Sequence, residues 1–97
     1  VSVIDLKANV KKKVTVEKVN EALVKATKRG PLKGILAYTT EPLVSMDFNH
    51  NPASSTFALD QTKVMDERFI RVMSWYDNEW GFSNRMCDTA AAIAATL

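Results

Sequence analysis

The sequence predicts an α+β fold, in which one sheet carries helices against a face. Three observations predict it. The first ten residues alternate between apolar and polar, residues 15–29 have the spacing and end signals of a helix, and several short apolar runs follow, separated by polar turns. A second helix is expected to close the chain.

The first strand is predicted over residues 1–10. The alternation places four apolar side chains on one face, namely Ile4, Leu6, Ala8 and Val10. The other face carries Asp5, Lys7 and Asn9. A period of two with one apolar face is typical of a half-buried strand.

A helix is predicted directly after this strand. Thr15 supplies an N-cap, and Glu17 places a negative charge in the first turn, where the helix dipole favours it. One face of the helix is apolar and consists of Val16, Val19, Leu23 and Ala26. Gly30-Pro31 then ends the helix.

Four further apolar runs are predicted to be strands, namely residues 34–39, 43–48, 56–64 and 69–76. Between the second and the third lies Asn49-His50-Asn51-Pro52, which has the composition of a loop. The run 69–76 is apolar on both faces. We therefore expect it at the centre of the sheet, covered on both sides.

The closing helix is predicted to begin at Ser83 or Asn84. Its apolar residues recur at the spacing of one helical face, which consists of Met86, Ala90, Ile93 and Leu97. Alanines surround this stripe and leave a smooth surface. Such a surface suits close packing against another layer of structure.

The net charge of the chain is only +2, but it is unevenly distributed. Residues 1–34 contain nine Lys/Arg against three Asp/Glu, whereas residues 35–97 contain four against eight. A basic surface can attract nucleic acid or phosphate-bearing ligands. However, Lys11-Lys12-Lys13 has no interleaved aromatic residues and no recognition motif beside it. We therefore expect a solvated surface and no specific binding of nucleic acid.

The sequence also argues against several classes of site. No apolar run approaches about 18 residues, so no transmembrane helix is expected, and the start lacks the layout of a signal peptide. Cys87 is the only cysteine and His50 the only histidine, so neither an intrachain disulfide nor a metal site is expected. These features favour a reducing cytoplasm. The helical context of Cys87 predicts a small buried side chain.

Residues 74–85 are the most informative segment of the chain. They hold both tryptophans, a tyrosine and a phenylalanine among asparagines, acids and an arginine. Several aromatic rings and polar side-chain groups close together at the end of a strand are suited to form a concave ligand pocket from which water is partly excluded. The alternative is a buried aromatic turn that only closes the core, and composition alone favours it.

The sequence of this segment, S-W-Y-D-N-E-W-G-F-S-N-R, closely resembles the C-terminal signature of the glyceraldehyde-3-phosphate dehydrogenases. Four earlier segments are similar to successive blocks of that family, in the same order: V-S-V-I-D-L at 1–6, G-P-L-K-G-I-L-A-Y-T at 30–39, L-V-S-M-D-F-N at 43–49 and S-S-T-F at 54–57. The resemblance therefore extends over essentially the whole chain. It implies a mostly antiparallel sheet with helices packed on a face.

The resemblance further implies that the chain is part of a larger enzyme. Residues 1–82 would be the C-terminal half of a catalytic domain, and residues 83–97 a helix that packs on a nucleotide-binding domain. A start inside a strand and the lack of a G-x-G-x-x-G motif agree with this expectation. The 97 residues alone are expected to be inactive and prone to associate.

The reaction implied by the resemblance is the NAD-dependent oxidation of glyceraldehyde 3-phosphate with inorganic phosphate, which yields 1,3-bisphosphoglycerate. In that family a cysteine attacks the aldehyde and a histidine acts as base, and both lie in upstream segments. We therefore expect no catalytic residue here, and neither Cys87 nor His50 takes those roles. His50 is expected to be a surface or subunit-contact residue. The family is tetrameric, and residues 43–64 are expected to supply part of the subunit contact.

Asn78 is the cofactor-binding residue that the resemblance implies. An asparagine offers one acceptor and two donors, the complement of a primary carboxamide such as that of nicotinamide. In similar enzymes, the asparagine of the W-Y-D-N-E motif holds this group and so decides which ring face is presented for hydride transfer. Without the resemblance, an asparagine in a turn is more often structural.

The other residues of the segment are expected to be structural. Phe82 stands where many family members have tyrosine, and we expect it to pack as a pocket wall. Asp77, Glu79 and Arg85 are expected to pair with each other and with the backbone.

Two alternatives stay open. One is erythrose-4-phosphate dehydrogenase, a related enzyme that shares the motifs D-F-N-H and N-E-W-G-F. The motifs W-Y-D and G-P-L-K-G favour glyceraldehyde-3-phosphate dehydrogenase. The alternative from another class is a non-enzymatic module that binds RNA or a partner protein through the basic residues 1–34.

Overall fold

The computed structural model describes all 97 residues, Val1–Leu97. The strands and α-helices are, in chain order, β1 (Ser2–Asn9), α1 (Val16–Lys28), β2 (Leu36–Thr39), β3 (Ser55–Ala58), β4 (Lys63–Met65), β5 (Phe69–Tyr76) and α2 (Asn78–Ala94). Two 3-10 helices span Ser45–Phe48 and Leu59–Gln61. The predicted α+β fold with a C-terminal helix is confirmed.

All five strands form one sheet around β5. β1 pairs with one edge of β5 from Ser2 opposite Tyr76 to Asn9 opposite Phe69. On the other edge, β3 pairs with the C-terminal half of β5 and β4 with its N-terminal half. These three pairings are antiparallel, and only β2 and β3 are parallel. The prediction of a mostly antiparallel sheet with residues 69–76 at its centre is therefore confirmed. The predicted cover on both sides is incomplete, because the buried residues of β5, Val72 and Ser74, lie on one face and the other face is half-buried or exposed.

Helix α1 forms as predicted. The Thr15 hydroxyl oxygen accepts a hydrogen bond from the Lys18 N–H (3.2 Å), and the helix ends two residues before Gly30, whose φ of 81° a glycine adopts without strain. The predicted apolar face is half-buried. It lies beside β2, and Asn20 Nδ2 donates to the Leu59 carbonyl oxygen (3.2 Å). The helix is thus fixed against one side of the sheet.

The hydrophobic core of the chain contains few residues. Its buried apolar residues are Phe48, Ala58, Leu59 and Val72. The predicted burial of the first strand is wrong for its largest residues, because Ile4 is 50% exposed and Leu6 52% exposed. β1 is an edge strand, and α1 packs beside β2 at the opposite edge. The apolar face of β1 therefore lies beyond the reach of this helix.

The strand predicted over residues 43–48 is wrong, because the last four residues of this run form a 3-10 helix. Asp47 Oδ2 accepts a hydrogen bond from the Val44 N–H (2.8 Å). Bonds of this kind offer the backbone an alternative to strand pairing. The turn carries Phe48 into the core, where its ring stacks on Trp75 with the ring centroids 5.6 Å apart.

The run 56–64 contains two strands where one was predicted. β3 and β4 pair with the same edge of β5, but their registers differ by three residues. These three residues loop out as the 3-10 helix Leu59–Gln61. Leu59 is buried there, so the interruption contributes an apolar side chain to the core.

Helix α2 leaves the end of β5 and lies against the rest of the chain in its first two turns. Gly81 sits so close to the 53–54 backbone that a Cβ on it would lie 3.0 Å from the Ala53 carbonyl oxygen. From Met86 onward every residue is exposed, including the predicted apolar stripe. The predicted burial of Cys87 is therefore wrong. Neither helix of the structure is long and apolar enough to cross a membrane.

Candidate functional site

The first turns of α2 and the loop of residues 49–52 enclose a pocket of about 360 Å³. The loop contributes Asn49 and His50, the helix contributes Asp77, Asn78, Glu79, Trp80 and Ser83, and Val1 completes the lining. β5 places the pocket, because its last residue, Tyr76, directly precedes the N-cap of α2. A pocket is therefore present at the end of this strand, but its lining is mostly polar, and Trp80 is the one aromatic residue of the 74–85 segment that contributes to it.

Asp77 is the N-cap of α2 and joins both walls of the pocket. Its Oδ1 accepts a hydrogen bond from the Trp80 N–H (2.9 Å). Its Oδ2 accepts one from the His50 N–H (2.9 Å). The carboxylate is buried, and each of its oxygens is engaged by the backbone. The helix consequently begins at Asn78, several residues before the predicted start at Ser83 or Asn84.

These bonds favour the ionised form of Asp77. The Trp80 N–H, followed by the His50 N–H, holds the pKa of the carboxyl below its ordinary value of 3.8. A lowered folded-state pKa stabilises the fold above the unfolded-state pKa, and the contribution is lost as the pH falls through the folded-state value.

A pH-dependent stability difference is therefore expected between the wild-type sequence and Asp77→Asn in the full-length gene product. The asparagine keeps one oxygen but turns an N–H₂ toward a backbone donor, so the variant should unfold at lower urea concentration at pH 7. The difference should persist at pH 5 and shrink as the pH falls below about 4. Urea unfolding at pH 7, 5, 4 and 3 measures it.

Glu79→Gln is the matched control for this comparison. It removes one negative charge from the same helical turn, but the Glu79 carboxylate accepts no hydrogen bond. If both variants lose the same stability at every pH, the helix dipole and not the paired oxygens accounts for the effect of Asp77.

His50 lines the same pocket as Asn78. The sequence did not predict that these two residues lie close together. The ring of His50 is tilted against Trp80 with the ring centroids 5.2 Å apart. Its backbone has a φ of 63°, a left-handed conformation that is uncommon for a residue other than glycine. The bond to Asp77 holds this conformation in place. His50 is exposed as expected, and it forms one wall of the pocket.

Asn78 is the first residue of α2, and it is one of the residues that line the pocket. It is exposed and makes no hydrogen bond within the chain, unlike Asn20, Asn51 and Asn84. Both donors and the acceptor of its amide are therefore available to a ligand.

The remaining residues of the segment divide between structural and exposed positions. Arg85 pairs with Asp88 (Nε to Oδ2, 2.8 Å) and donates to the Ser54 hydroxyl oxygen (Nη1 to Oγ, 2.9 Å), so its pairing is confirmed. Glu79 has no such partner. Phe82 is 65% exposed, because it lies on the uncovered face of α2, and within this chain it packs against no core.

No three His, Cys, Asp or Glu side chains lie close enough together to hold a metal ion. The polar and aromatic groups that line the pocket include two amides without a hydrogen bond in the chain, those of Asn49 and Asn78, together with two carboxylates, an imidazole and an indole. Such a set suits binding and orienting a polar, planar group.

Comparison with known proteins decides the family. The family model described as "Glyceraldehyde 3-phosphate dehydrogenase, C-terminal domain" matches residues 1–78. The chain belongs to the glyceraldehyde-3-phosphate dehydrogenase family. The resemblance carried by residues 74–85 and the earlier segments is thus confirmed, and the family is one of oxidoreductases.

Several bacterial glyceraldehyde-3-phosphate dehydrogenases are similar to this chain throughout. The enzyme of Xanthobacter flavus is 62% identical over 93 residues, which is 96% of this chain and 28% of that protein. The enzyme of Cereibacter sphaeroides is 60% identical over all 97 residues, and this chain covers 29% of it. The enzyme of Geobacillus stearothermophilus is 56% identical over 95 residues, with 28% covered. The chain thus spans less than a third of the length of these curated relatives.

Proposed function

We propose that this chain serves as the C-terminal part of an NAD-dependent, phosphorylating glyceraldehyde-3-phosphate dehydrogenase, in which Asn78 orients the nicotinamide carboxamide. The observation that carries the proposal is the unengaged amide of Asn78 in the pocket. Its neighbour Asp77 accepts hydrogen bonds from two backbone N–H groups. Asn78 offers a ligand both donors and an acceptor, whereas the Glu79 carboxylate in the same turn offers acceptors alone.

The residues of the pocket fit a nicotinamide carboxamide. The Asn78 carbonyl oxygen can accept from the carboxamide N–H₂, and its own N–H₂ can donate to the carboxamide oxygen. Asn78 is held by a capped helix rather than by a free loop, which limits the angles that its side chain can take. When bound, NAD supplies the hydride acceptor of the reaction.

Exposed apolar surface supports a role within a larger assembly. Helix α2 presents Met86 and Ile93 to solvent, more than half exposed, and we propose that residues 83–97 pack on a nucleotide-binding domain while residues 1–82 complete the catalytic domain. Val44 and Met46 are similarly uncovered. The segment 43–64 is proposed to contact a second subunit in a cytoplasmic homotetramer.

A substrate comparison tests this function. The full-length gene product should reduce NAD with glyceraldehyde 3-phosphate, depend on inorganic phosphate for sustained turnover, and show a higher kcat/KM for this triose than for erythrose 4-phosphate. NADH absorbance measures all three. A higher kcat/KM for the tetrose would assign the chain to the erythrose-4-phosphate dehydrogenase activity. An absence of NAD reduction with both sugars would refute the proposal.

A further inference from the structure

Asp77 makes two hydrogen bonds to backbone segments that are far apart in the chain. One bond caps α2 through Trp80, and the other reaches His50, which lies 27 residues earlier. The pocket therefore has two walls joined through a single carboxylate.

The loop of residues 49–52, which forms one wall of the pocket, needs a contact that holds its conformation. His50 has a φ of 63°, and a residue other than glycine keeps this conformation only when its surroundings hold it there. The loop has internal bonds as well, from the Asn51 N–H to the Phe48 carbonyl oxygen (3.0 Å) and from the Ala53 N–H to Asn51 Oδ1 (3.0 Å). Neither of these bonds connects the loop to α2. The hydrogen bond between residues 49–52 and α2 is the one through Asp77, and it is joined by the ring contact of His50 with Trp80.

Asn78 follows Asp77 directly, so the same carboxylate sets the position from which its amide projects. We propose that Asp77 is a positioning residue for the cofactor, which holds the Asn78 amide and the 49–50 wall in one geometry by bridging the His50 and Trp80 N–H groups. This inference rests on the proposed function of Asn78. It adds that the orientation of the amide depends on a bond to a distant loop.

The test is a double-mutant cycle on the full-length gene product, with kcat/KM for NAD as the measured quantity. Asp77→Asn keeps one oxygen for capping but loses the bridge. It should lower kcat/KM for NAD roughly threefold to tenfold when Asn78 is present. In an Asn78→Ala background the same substitution should cause no further loss, because no amide remains to be misplaced.

Asp77→Ser also loses the bridge, but it does not turn an N–H₂ toward a backbone donor as Asp77→Asn does. Serine is a good N-cap, but its single short hydroxyl cannot reach the His50 N–H while it caps α2. We expect kcat/KM for NAD to fall as it does in Asp77→Asn, while Tm recovers toward the wild-type value. A serine variant with wild-type kcat/KM would overturn the inference, since capping alone would then suffice.

The outcomes distinguish this inference from the function on which it rests. If Asn78→Ala leaves kcat/KM for NAD unchanged, the proposed role of Asn78 fails. If Asn78→Ala lowers it but Asp77→Asn lowers it equally in both backgrounds, Asp77 acts only through stability and the positioning role is refuted. A loss that is confined to the background containing Asn78 supports the inference.

Discussion

Replacing Phe48 with alanine is expected to lower the free energy of unfolding by about 3–5 kcal/mol. Phe48 is only 3% exposed and is one of the few buried apolar residues of the chain. Its ring stacks on Trp75 with an interplanar angle of 10°. Removal would lose the transfer free energy of the ring and leave a cavity next to an indole that cannot fill it.

Glu21→Ala is the control for this substitution. Glu21 is exposed in the middle of α1 and lies outside the segments proposed to be covered in the assembly, so its truncation should change the free energy of unfolding by about 0.5 kcal/mol or less. Urea unfolding of both variants of the full-length gene product, followed by tryptophan fluorescence, compares them. Equal losses would mean that Phe48 is not a core residue of the folded protein.

The elements predicted correctly from the sequence are those with complete local signals. α1 has its N-cap at Thr15, its apolar face and its terminating Gly30 within 16 residues, and none of these depends on another part of the chain. The apolar character of residues 69–76 on both faces similarly indicated the central strand. The lack of an alternating pattern is itself the signal, because both faces of a central strand meet other residues.

The errors in strand assignment arise from pairing. The run 43–48 has the composition of a strand, but the Asp47 bond to Val44 and the burial of Phe48 favour a turn. The break at Leu59–Gln61 follows from the different registers of β3 and β4 on β5. Register on a distant strand cannot be deduced from the apolarity of a single run.

The site was predicted in part. Asn78 could be chosen among the asparagines only through the family resemblance, because an asparagine next to a strand end is usually structural. Nothing in the sequence indicated that His50 lies close to Asp77 and Asn78, because a contact between residues 27 positions apart depends on the assembled sheet. The early start of α2 did have a signal in the sequence. Asp77 is a favoured N-cap residue, which favours a helix that begins at Asn78 rather than at Ser83 or Asn84.

Replacing Asn78 is expected to affect the cofactor and not the fold. The side chain is exposed and unengaged within the chain, so Asn78→Ala should leave Tm nearly unchanged. A nicotinamide carboxamide without its partner amide loses about 1–3 kcal/mol of interaction, which corresponds to a loss of roughly fivefold to 150-fold in kcat/KM for NAD. Asn78→Asp keeps the acceptor but not the donors, and we expect a loss of similar size.

The most direct test of the account compares kcat/KM for NAD in Asn78→Ala and Asn84→Ala of the full-length gene product. Asn84 lies in the same helix, and its amide nitrogen donates to the Trp80 carbonyl oxygen (2.9 Å) rather than facing the pocket. We predict that kcat/KM falls at least fivefold in Asn78→Ala and stays within about twofold of wild type in Asn84→Ala. Equal values for the two variants would contradict the assignment of Asn78 to the nicotinamide.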